Sequence, residues 1–231
     1  MVTSSGHLIA LCGIDGSGKT VQCELLGRHA REAGLRVETV SFPRYGEGFF
    51  GELVARYLRG EFAQDPAVVN PYLAALPFAC DRWEAAPKIR AWLAEGALVL
   101  CNRYVAANLA HQGSKIAAPQ ARREFLDWLE KLEYGVFQLP RPDLQILLDV
   151  PPQIAVELVS RKAQRPYLQQ AKDIHENSLV HLRATSELYR HLACGAGWVT
   201  IECALSGRLR APESIAQEVW TAVSRLIYHK S

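Results

Sequence analysis

One short stretch, Gly13–Thr20, constrains this chain more than any other part of it, and it reads Gly-Ile-Asp-Gly-Ser-Gly-Lys-Thr. The stretch matches the P-loop pattern, which fixes two glycines, a lysine and a hydroxyl residue. Glycine permits a tight turn whose backbone N–H groups converge on an anion. Lys19 supplies a positive charge and Thr20 a hydroxyl ligand for Mg²⁺. The residues predicted to line the phosphate site are Gly13, Asp15, Gly16, Ser17, Gly18, Lys19 and Thr20.

The neighbouring sequence provides the setting that a P-loop requires. His7–Cys12 is a short apolar run typical of a buried strand, and apolar residues then recur at helical spacing up to Gly34. A helix starting at Lys19 would point its positive N-terminal end at the bound phosphates. Strand, loop and helix together therefore predict a nucleotide-binding site.

Strand and helix patterns alternate along the rest of the chain. Four more apolar runs read as strands, at 36–42, 97–101, 144–150 and 198–203. This alternation favours a parallel sheet with helices on both faces and ligands at the carboxyl ends of the strands. We therefore expect one α/β domain over residues 1–231, built on a five-stranded parallel sheet.

Two further segments, 71–94 and 102–115, lie on either side of the 97–101 strand. The pattern over 71–94 is helical, although Pro77 and Pro87 are expected to kink or divide the helix. The segment 102–115 reads as a polar run after a strand.

Composition argues against several other classes of protein. The formal net charge of +2 is too small to suggest a nucleic-acid-binding protein, and no apolar run approaches the length that crosses a bilayer. The six cysteines are scattered without a C-x-x-C pair, which indicates free, mostly buried thiols in a reducing compartment. We therefore expect a cytoplasmic protein that binds small molecules, with neither nucleic acid nor membrane as a partner.

A P-loop alone is shared by GTPases, motors, transporters and small kinases. The sequence lacks both the guanine-reading N-K-x-D motif and a D-x-x-G switch, and 231 residues leave no room for motor or transporter modules. Small phosphoryl-transfer kinases remain as the class that fits.

Further blocks of sequence follow the P-loop. They read FPRY, a helix ending in YLRG, PFACDRWEAAPKIRAWLAEG, NRYVAANLAHQG, LPRPDLQILLDV and RKAQRPYLQQAKDIHE. In the order and spacing of these blocks the chain resembles the thymidylate kinase family, from about His7 to Ile227. The resemblance implies a P-loop kinase fold with a helical lid at about 160–173. It further implies ATP and Mg²⁺ as cofactors, phosphorylation of dTMP to dTDP, and a homodimer.

Three arginines follow apolar segments at the edge where ligands are expected. The resemblance implies that Arg44, Arg82 and Arg103 grip the acceptor nucleotide, and planar guanidinium groups suit phosphate oxygens and carbonyl edges. Phe78 lies one turn before Arg82 on the same helix face. The resemblance implies that the Phe78 ring stacks on thymine, whereas a place in the core is the structural alternative.

Three further side chains are implied at the acceptor. In the family, the position of Asp15 contacts the 3′-hydroxyl, and in part of it the position of Asn108 hydrogen-bonds the pyrimidine edge, for which an amide offers a donor and an acceptor. A loop or capping role is the alternative for Asn108. His111 stands where the family often has a tyrosine beside the sugar 2′ position, so ribose discrimination stays open.

A basic stretch lies in the predicted lid. Position 16 is glycine, whereas one group of the family has a P-loop arginine there and the other group supplies that charge from the lid. The resemblance therefore implies that Arg161, Lys162 and Arg165 close over the transferring phosphoryl group, a role that can accelerate transfer by ~10³ to 10⁵. A solvated basic helix end is the alternative. The predicted catalytic residues are Lys19, Arg103, Arg161 and Arg165.

Asn102 is the clearest departure from the family, which usually has Asp-Arg-Tyr where this chain has Asn-Arg-Tyr. A nucleotide monophosphate has a second pKa near roughly 6 and is mostly dianionic at neutral pH. Positioning and charge neutralisation then carry the catalysis without a general base. Thr20 and Asn102 are the predicted Mg²⁺ ligands, although an amide oxygen is a weaker ligand than a carboxylate.

Two alternative functions stay open at this point. One is a kinase for another pyrimidine or modified deoxynucleoside monophosphate, suggested by His111 and Asn102. The other is a catalytically silent P-loop protein that binds nucleotide as a regulatory or structural module.

Overall fold

A computed structural model of the chain describes residues 6–62, 69–163 and 179–228. Five strands form one parallel sheet, in the order β2-β3-β1-β4-β5. Their bounds are β1 His7–Cys12, β2 Val37–Ser41, β3 Leu98–Asn102, β4 Leu144–Asp149 and β5 Trp198–Glu202. The predicted α/β fold with a five-stranded parallel sheet is therefore confirmed, and β1, the strand that feeds the P-loop, lies at its centre.

Eight α-helices connect and cover the strands in the described part of the chain. They are α1 Lys19–Glu32, α2 Gly48–Leu58, α3 Pro71–Ala94, α4 Val105–Gly113, α5 Pro119–Glu130, α6 Pro152–Ala163, α7 Leu179–Leu192 and α8 Pro212–Tyr228. A π-helical segment, Lys131–Val136, continues directly from α5. A two-stranded antiparallel hairpin, β6 Ala204–Leu205 and β7 Arg208–Leu209, follows β5.

The strand order determines which face each helix covers. Crossovers between parallel strands are right-handed, so α1, between β1 and β2, lies on the face opposite to the helices between β3 and β4. Helix α8 packs beside α1, whereas α3, α4, α5 and α7 pack together on the other face. With helices on both faces, the central strand is buried along its length: Leu8–Cys12 are at most 1% exposed. Such burial explains why β1 is a continuous apolar run.

Helix α3 corrects one prediction, because it runs unbroken through Pro77 and Pro87. Each proline removes the hydrogen bond to the carbonyl four residues earlier. Those carbonyls belong to Leu73 and Trp83, which are 63% and 50% exposed. Both breaks therefore lie on the wet side of the helix, where water can satisfy the carbonyl.

The segment predicted as a polar run after β3 is also corrected, since it contains helix α4. Its alanines and leucine, including Ala106, Leu109 and Ala110, are buried against neighbouring helices. Alanine has the highest helix propensity. A short apolar stripe is therefore sufficient to form and bury this helix, even within a sequence that looks polar. The hairpin formed by β6 and β7 was not predicted either.

The remaining predictions concern the cysteines, membrane-spanning helices and the lid. All six cysteines are free thiols, as predicted, and Cys194 is exposed while Cys80 is half-buried. Within the described residues, no helix combines the length and the apolar character needed to cross a membrane. Most of the predicted lid, including Arg165, lies outside the described residues, as do the side chains of Arg161 and Lys162.

Candidate active site

The candidate site lies at the carboxyl ends of β1 and β3. Leu11 of β1 pairs with Asn102, the last residue of β3. From β1 the chain crosses to β2 on one side, and from β3 it crosses to β4 on the other. This reversal of direction opens a crevice at the edge of the sheet, which is where open α/β sheets bind ligands. The P-loop and the Asn102-Arg103 pair border the same crevice.

The P-loop depends on glycine for two different reasons. Gly13, Gly16 and Gly18 have φ angles of 140°, 81° and 84°, in the region that side chains disfavour. At Gly16 a Cβ atom would also lie 2.4 Å from the carbonyl oxygen of Ala155 in α6. Glycine at position 16, where one group of the family has an arginine, is therefore required by both the backbone and the packing of α6.

Lys19 is drawn into the loop that precedes it. Its Nζ donates to the carbonyl oxygens of Gly13 at 3.0 Å and Ile14 at 2.7 Å, and to the Ser17 hydroxyl at 3.3 Å. The residue is only 7% exposed. An ammonium group held this way is fixed at the centre of the loop, where the backbone N–H groups also converge.

Thr20 and Asn102 meet across the crevice. Asn102 Nδ2 donates to Thr20 Oγ1 at 3.2 Å, while the buried Asn102 Oδ1 has no hydrogen-bond partner among the described residues. Buried acceptors are normally satisfied. An unsatisfied amide oxygen beside a hydroxyl therefore fits the oxygen ligands that Mg²⁺ prefers.

A second group, Asp15, Arg103 and His111, lies beside the P-loop. The Arg103 guanidinium donates to the Asp15 carboxylate and lies 2.9 Å from His111 Nε2. Arg103 has φ 66°, an uncommon value for a residue with a side chain. Strained backbone of this kind persists only where the surroundings hold it and is frequent at functional sites.

Helix α7 covers the far side of that group. The rings of His181 and Tyr189 lie 5.9 Å and 6.0 Å from His111. Burial, together with the positive charge of Lys115, lowers the pKa of His181 to about 4. Burial raises the pKa of Tyr189. Both groups are therefore neutral at pH 7.

The third group lies deeper, between α3, α4 and the π-helical segment. Arg82 Nε and one terminal nitrogen donate to the two oxygens of Glu133 at 2.5 Å and 2.6 Å. The side chains of both residues are almost completely buried, at 2% and 0% exposed. Asn108 Nδ2 donates to the same carboxylate at 3.1 Å and to the Ala75 carbonyl at 3.0 Å. Arg82 and Asn108, both predicted from the sequence, are thus joined by a carboxylate that was not.

Arg44 is held in a similar way at the end of β2. Its side chain donates to Asp81 at 2.9 Å and to Glu84 at 2.6 Å, and its backbone N–H also donates to Asp81. Burial raises the pKa of Asp81, and the hydrogen bonds and charge of Arg44 oppose that shift. Phe78, on the same helix, is partly buried, with its ring edge-on to Tyr57 at 6.0 Å. Arg44 is thus positioned by two carboxylates of α3.

The structure brings together some of the predicted site residues and separates others into layers. Asp15, Lys19, Thr20, Asn102, Arg103 and His111 surround the crevice, whereas Arg82 and Asn108 form a buried layer with Glu133. The side chains of Arg161 and Arg165 lie outside what the structure describes.

Sequence reasoning missed Glu133, Asp81, Glu84 and Tyr189. A signal for Glu133 was available, because it follows Phe125 and Leu129 at the four-residue spacing of an apolar helix stripe. A charge on such a stripe requires a buried partner.

Known proteins are similar to this chain along most of its length. The model of the family described as "Thymidylate kinase" matches residues 11–209. The thymidylate kinase of Mycobacterium tuberculosis (strain H37Rv) is 33% identical over 208 residues, covering 88% of this chain and 95% of its own. A probable thymidylate kinase of Pyrobaculum aerophilum is 30% identical over 227 residues, covering 96% and 98%. The solved thymidylate kinase structure from Candida albicans superposes with a TM-score of 0.74 at 19% identity, covering 98% of this chain and 94% of that one.

Proposed function

This chain belongs to the thymidylate kinase family, and we propose that it transfers the γ-phosphoryl group of ATP to dTMP, giving ADP and dTDP. The observation that carries the proposal is the crevice at the switch point. There, the P-loop with Lys19 follows β1, Arg103 follows the neighbouring strand β3, and Asp15 of the P-loop pairs with Arg103. Two phosphate chains bound to these two groups would meet end to end.

The donor side is assigned to the P-loop. Its backbone N–H groups and the positive end of α1 attract the β- and γ-phosphates. Lys19 exchanges its bonds to the loop carbonyls for bonds to phosphate oxygens and offsets their charge. Because the loop already holds the Lys19 ammonium at its centre, the charge moves little when it changes partners.

The acceptor side is assigned to two sets of residues. Asp15, Arg103 and His111 lie beside the P-loop, and the others are Arg44, Phe78, Arg82 and Asn108. The dTMP phosphate is largely a dianion at neutral pH, so its oxygen attacks without losing a proton. Arg103 then has to hold that oxygen in line, which is a positional role. Asp15 fixes the Arg103 guanidinium from within the P-loop.

Thr20 and Asn102 are the residues that would hold Mg²⁺, since a buried unsatisfied oxygen and a hydroxyl lie side by side there. When bound, Mg²⁺ neutralises charge on the β- and γ-phosphates. The described residues contain no group of three or more His, Cys, Asp or Glu side chains that could hold a metal. Phosphate oxygens and water would therefore complete the ligand set.

Three broader features belong to the same proposal. Residues 1–231 form one kinase domain, in which a lid at about 160–173 brings Arg161 and Arg165 over the phosphates. The protein acts in the cytoplasm, which its free thiols support. It forms a homodimer, an arrangement that would cover exposed apolar side chains such as Trp83 and Val136; light scattering after size-exclusion chromatography tests it.

A substrate panel tests the proposed function. The purified protein with ATP and Mg²⁺ is assayed for ADP release on dTMP, dUMP, UMP, CMP and AMP. We expect the highest kcat/KM for dTMP. Equal turnover of the five acceptors would contradict the acceptor assignment, and tight nucleotide binding without turnover would contradict the kinase activity itself.

A further inference from the structure

Glu133 is a buried charge that the proposed reaction does not use directly. It lies in the π-helical segment that follows α5 and is 0% exposed. Burying a carboxylate is costly unless it is paired and hydrogen-bonded, and isolated π-helical turns are frequent at functional sites. Two residues assigned to the acceptor nucleotide, Arg82 and Asn108, supply its partners.

The contacts of Asn108 fix which way its amide faces. One end of the Asn108 amide lies within hydrogen-bond distance of both the Ala75 carbonyl and the Glu133 carboxylate. Both of these groups only accept hydrogen bonds, so the NH₂ end must face them. The other end, Oδ1, is buried and has no hydrogen-bond partner in the described part of the chain. A 180° flip would set Oδ1 against two acceptors.

We propose that Glu133 is a positioning residue that determines specificity for the base of the acceptor. It holds the Asn108 amide so that Oδ1 stays free to accept a hydrogen bond, and it fixes the plane of the Arg82 guanidinium. The site then selects a base that carries an imide N–H. The inference rests on the proposed function, since it concerns the base of the acceptor nucleotide. Glu133 acts through its two partners and is not placed in contact with substrate.

A fixed Asn108 amide distinguishes between pyrimidines by the group at position 3 of the ring. Thymine and uracil carry N–H at position 3, which can donate to the locked Asn108 Oδ1. Cytosine carries a lone pair at position 3, so two acceptors would face each other and neither would be satisfied. Sites built to form such a hydrogen bond discriminate strongly against partners that cannot. The asparagine alone would not discriminate, because an unlocked amide can present either end.

The decisive experiment measures the ratio of kcat/KM for dTMP to kcat/KM for dCMP in the full-length protein. Glu133→Gln replaces a group that only accepts with one that also donates, so the orientation of Asn108 is no longer imposed from that side. We expect the ratio to fall at least about tenfold, mainly through KM. Glu130→Gln is the matched control, because Glu130 is exposed one turn earlier; its ratio should equal that of the wild type.

A double-mutant cycle separates positioning from general loss of structure. If Glu133 acts through Asn108, Glu133→Gln should reduce the ratio far less in an Asn108→Ala background than in the wild type. An equal reduction in both backgrounds would overturn the role of Asn108. A folded Glu133→Gln protein with the wild-type ratio would overturn the proposal as a whole.

Two further measurements keep the test valid if Glu133→Gln does not fold. Glu133→Asp keeps the charge but is too short to hold both partners, so its ratio should also fall, and an unchanged ratio contradicts the proposal. The wild-type protein should discriminate against N3-methyl-dTMP, and equal use of that analogue and dTMP contradicts it too. A wild-type protein that does not prefer dTMP in the first place would instead contradict the proposed function.

Discussion

The phosphate side and the base side of the proposed substrate site are built in opposite ways. The phosphate side comes from one contiguous segment, Gly13–Thr20, whose glycines and backbone N–H groups create the site. The base side comes from three separate elements, and the Arg82–Glu133 pair joins residues 51 positions apart. One site is made by backbone conformation and the other by packed, paired side chains.

This difference determines how selective each side is for its ligand and what a substitution there changes. A backbone nest is nonspecific, because any terminal phosphate presents similar oxygens to it. A buried layer of paired polar groups is selective, because every donor and acceptor in it must be matched. We therefore expect substitutions on the phosphate side to affect turnover, and substitutions on the base side to affect stability and substrate choice.

The largest effect is expected from Lys19→Ala. It removes the ammonium charge at the centre of the P-loop and should lower kcat at least about a thousandfold with little change in melting temperature. Steady-state kinetics and thermal unfolding measure the two quantities. Lys88→Ala, an exposed lysine on α3, is the control and should retain wild-type kcat. Comparable activity in the two variants would remove the P-loop lysine from the reaction.

On the base side, Arg82→Met should act chiefly on stability. It leaves Glu133 buried without its cation, which typically costs about 3–5 kcal/mol in the free energy of unfolding. Urea denaturation measures the loss, and the double variant Arg82→Met with Glu133→Leu should recover most of it. Arg90→Met, exposed on the same helix, should change stability far less. If Arg82→Met and Arg90→Met lower the free energy of unfolding equally, the buried Arg82–Glu133 pair is not what distinguishes the base side from the phosphate side.

Between the two sides, His181 predicts a dependence of stability on pH. Its pKa is lowered to about 4 in the folded protein, whereas an unfolded histidine titrates near about 6.5. Between these two pKa values His181 is protonated in the unfolded chain but not in the folded protein. The free energy of unfolding therefore falls as the pH drops from 7 towards 4, by up to about 3 kcal/mol.

Chemical denaturation at several pH values checks this expectation. His181→Gln should flatten the dependence, whereas His191→Gln, exposed on the same helix, should preserve it. Identical pH profiles for the two variants would contradict a buried neutral imidazole.

The smallest effect is expected at the predicted metal ligand. Asn102→Asp replaces a neutral oxygen with a charged one and should lower the half-saturating Mg²⁺ concentration about tenfold. Titrating Mg²⁺ in the kinase assay measures it. Asp149→Asn is the control, because Asp149 ends β4 but is paired with Arg190 at 2.8 Å and 2.9 Å. An unchanged requirement in Asn102→Asp would argue that this residue does not contact the metal.

Much of the fold could be predicted from the sequence because its signals are local. Apolar runs identified the five strands, and a right-handed crossover rule then accounts for the layers. Helix α4 was missed, since its apolar stripe is only a few alanines and a leucine within a polar segment. The outcome at Pro77 and Pro87 depended on which side of α3 faces water.

The candidate site shows the same division. The P-loop residues were predicted with their roles, and their glycines have the backbone angles that such a loop requires. The arginines were predicted by position, but their partners were not: Asp81 and Glu84 for Arg44, and Glu133 for Arg82. A sequence records which residues are charged, while the pairing depends on which elements pack together.

By itself, the sequence determined the phosphate loop, the parallel sheet and the family, because backbone conformation and strand burial depend on residues close together in the chain. Only the tertiary structure decided that Arg82 is neutralised, that the Asn108 amide has one orientation, and that Asn102 presents an unsatisfied oxygen beside Thr20. The physical reason is desolvation: once packing removes water, each polar group must find its partner among distant residues brought into contact.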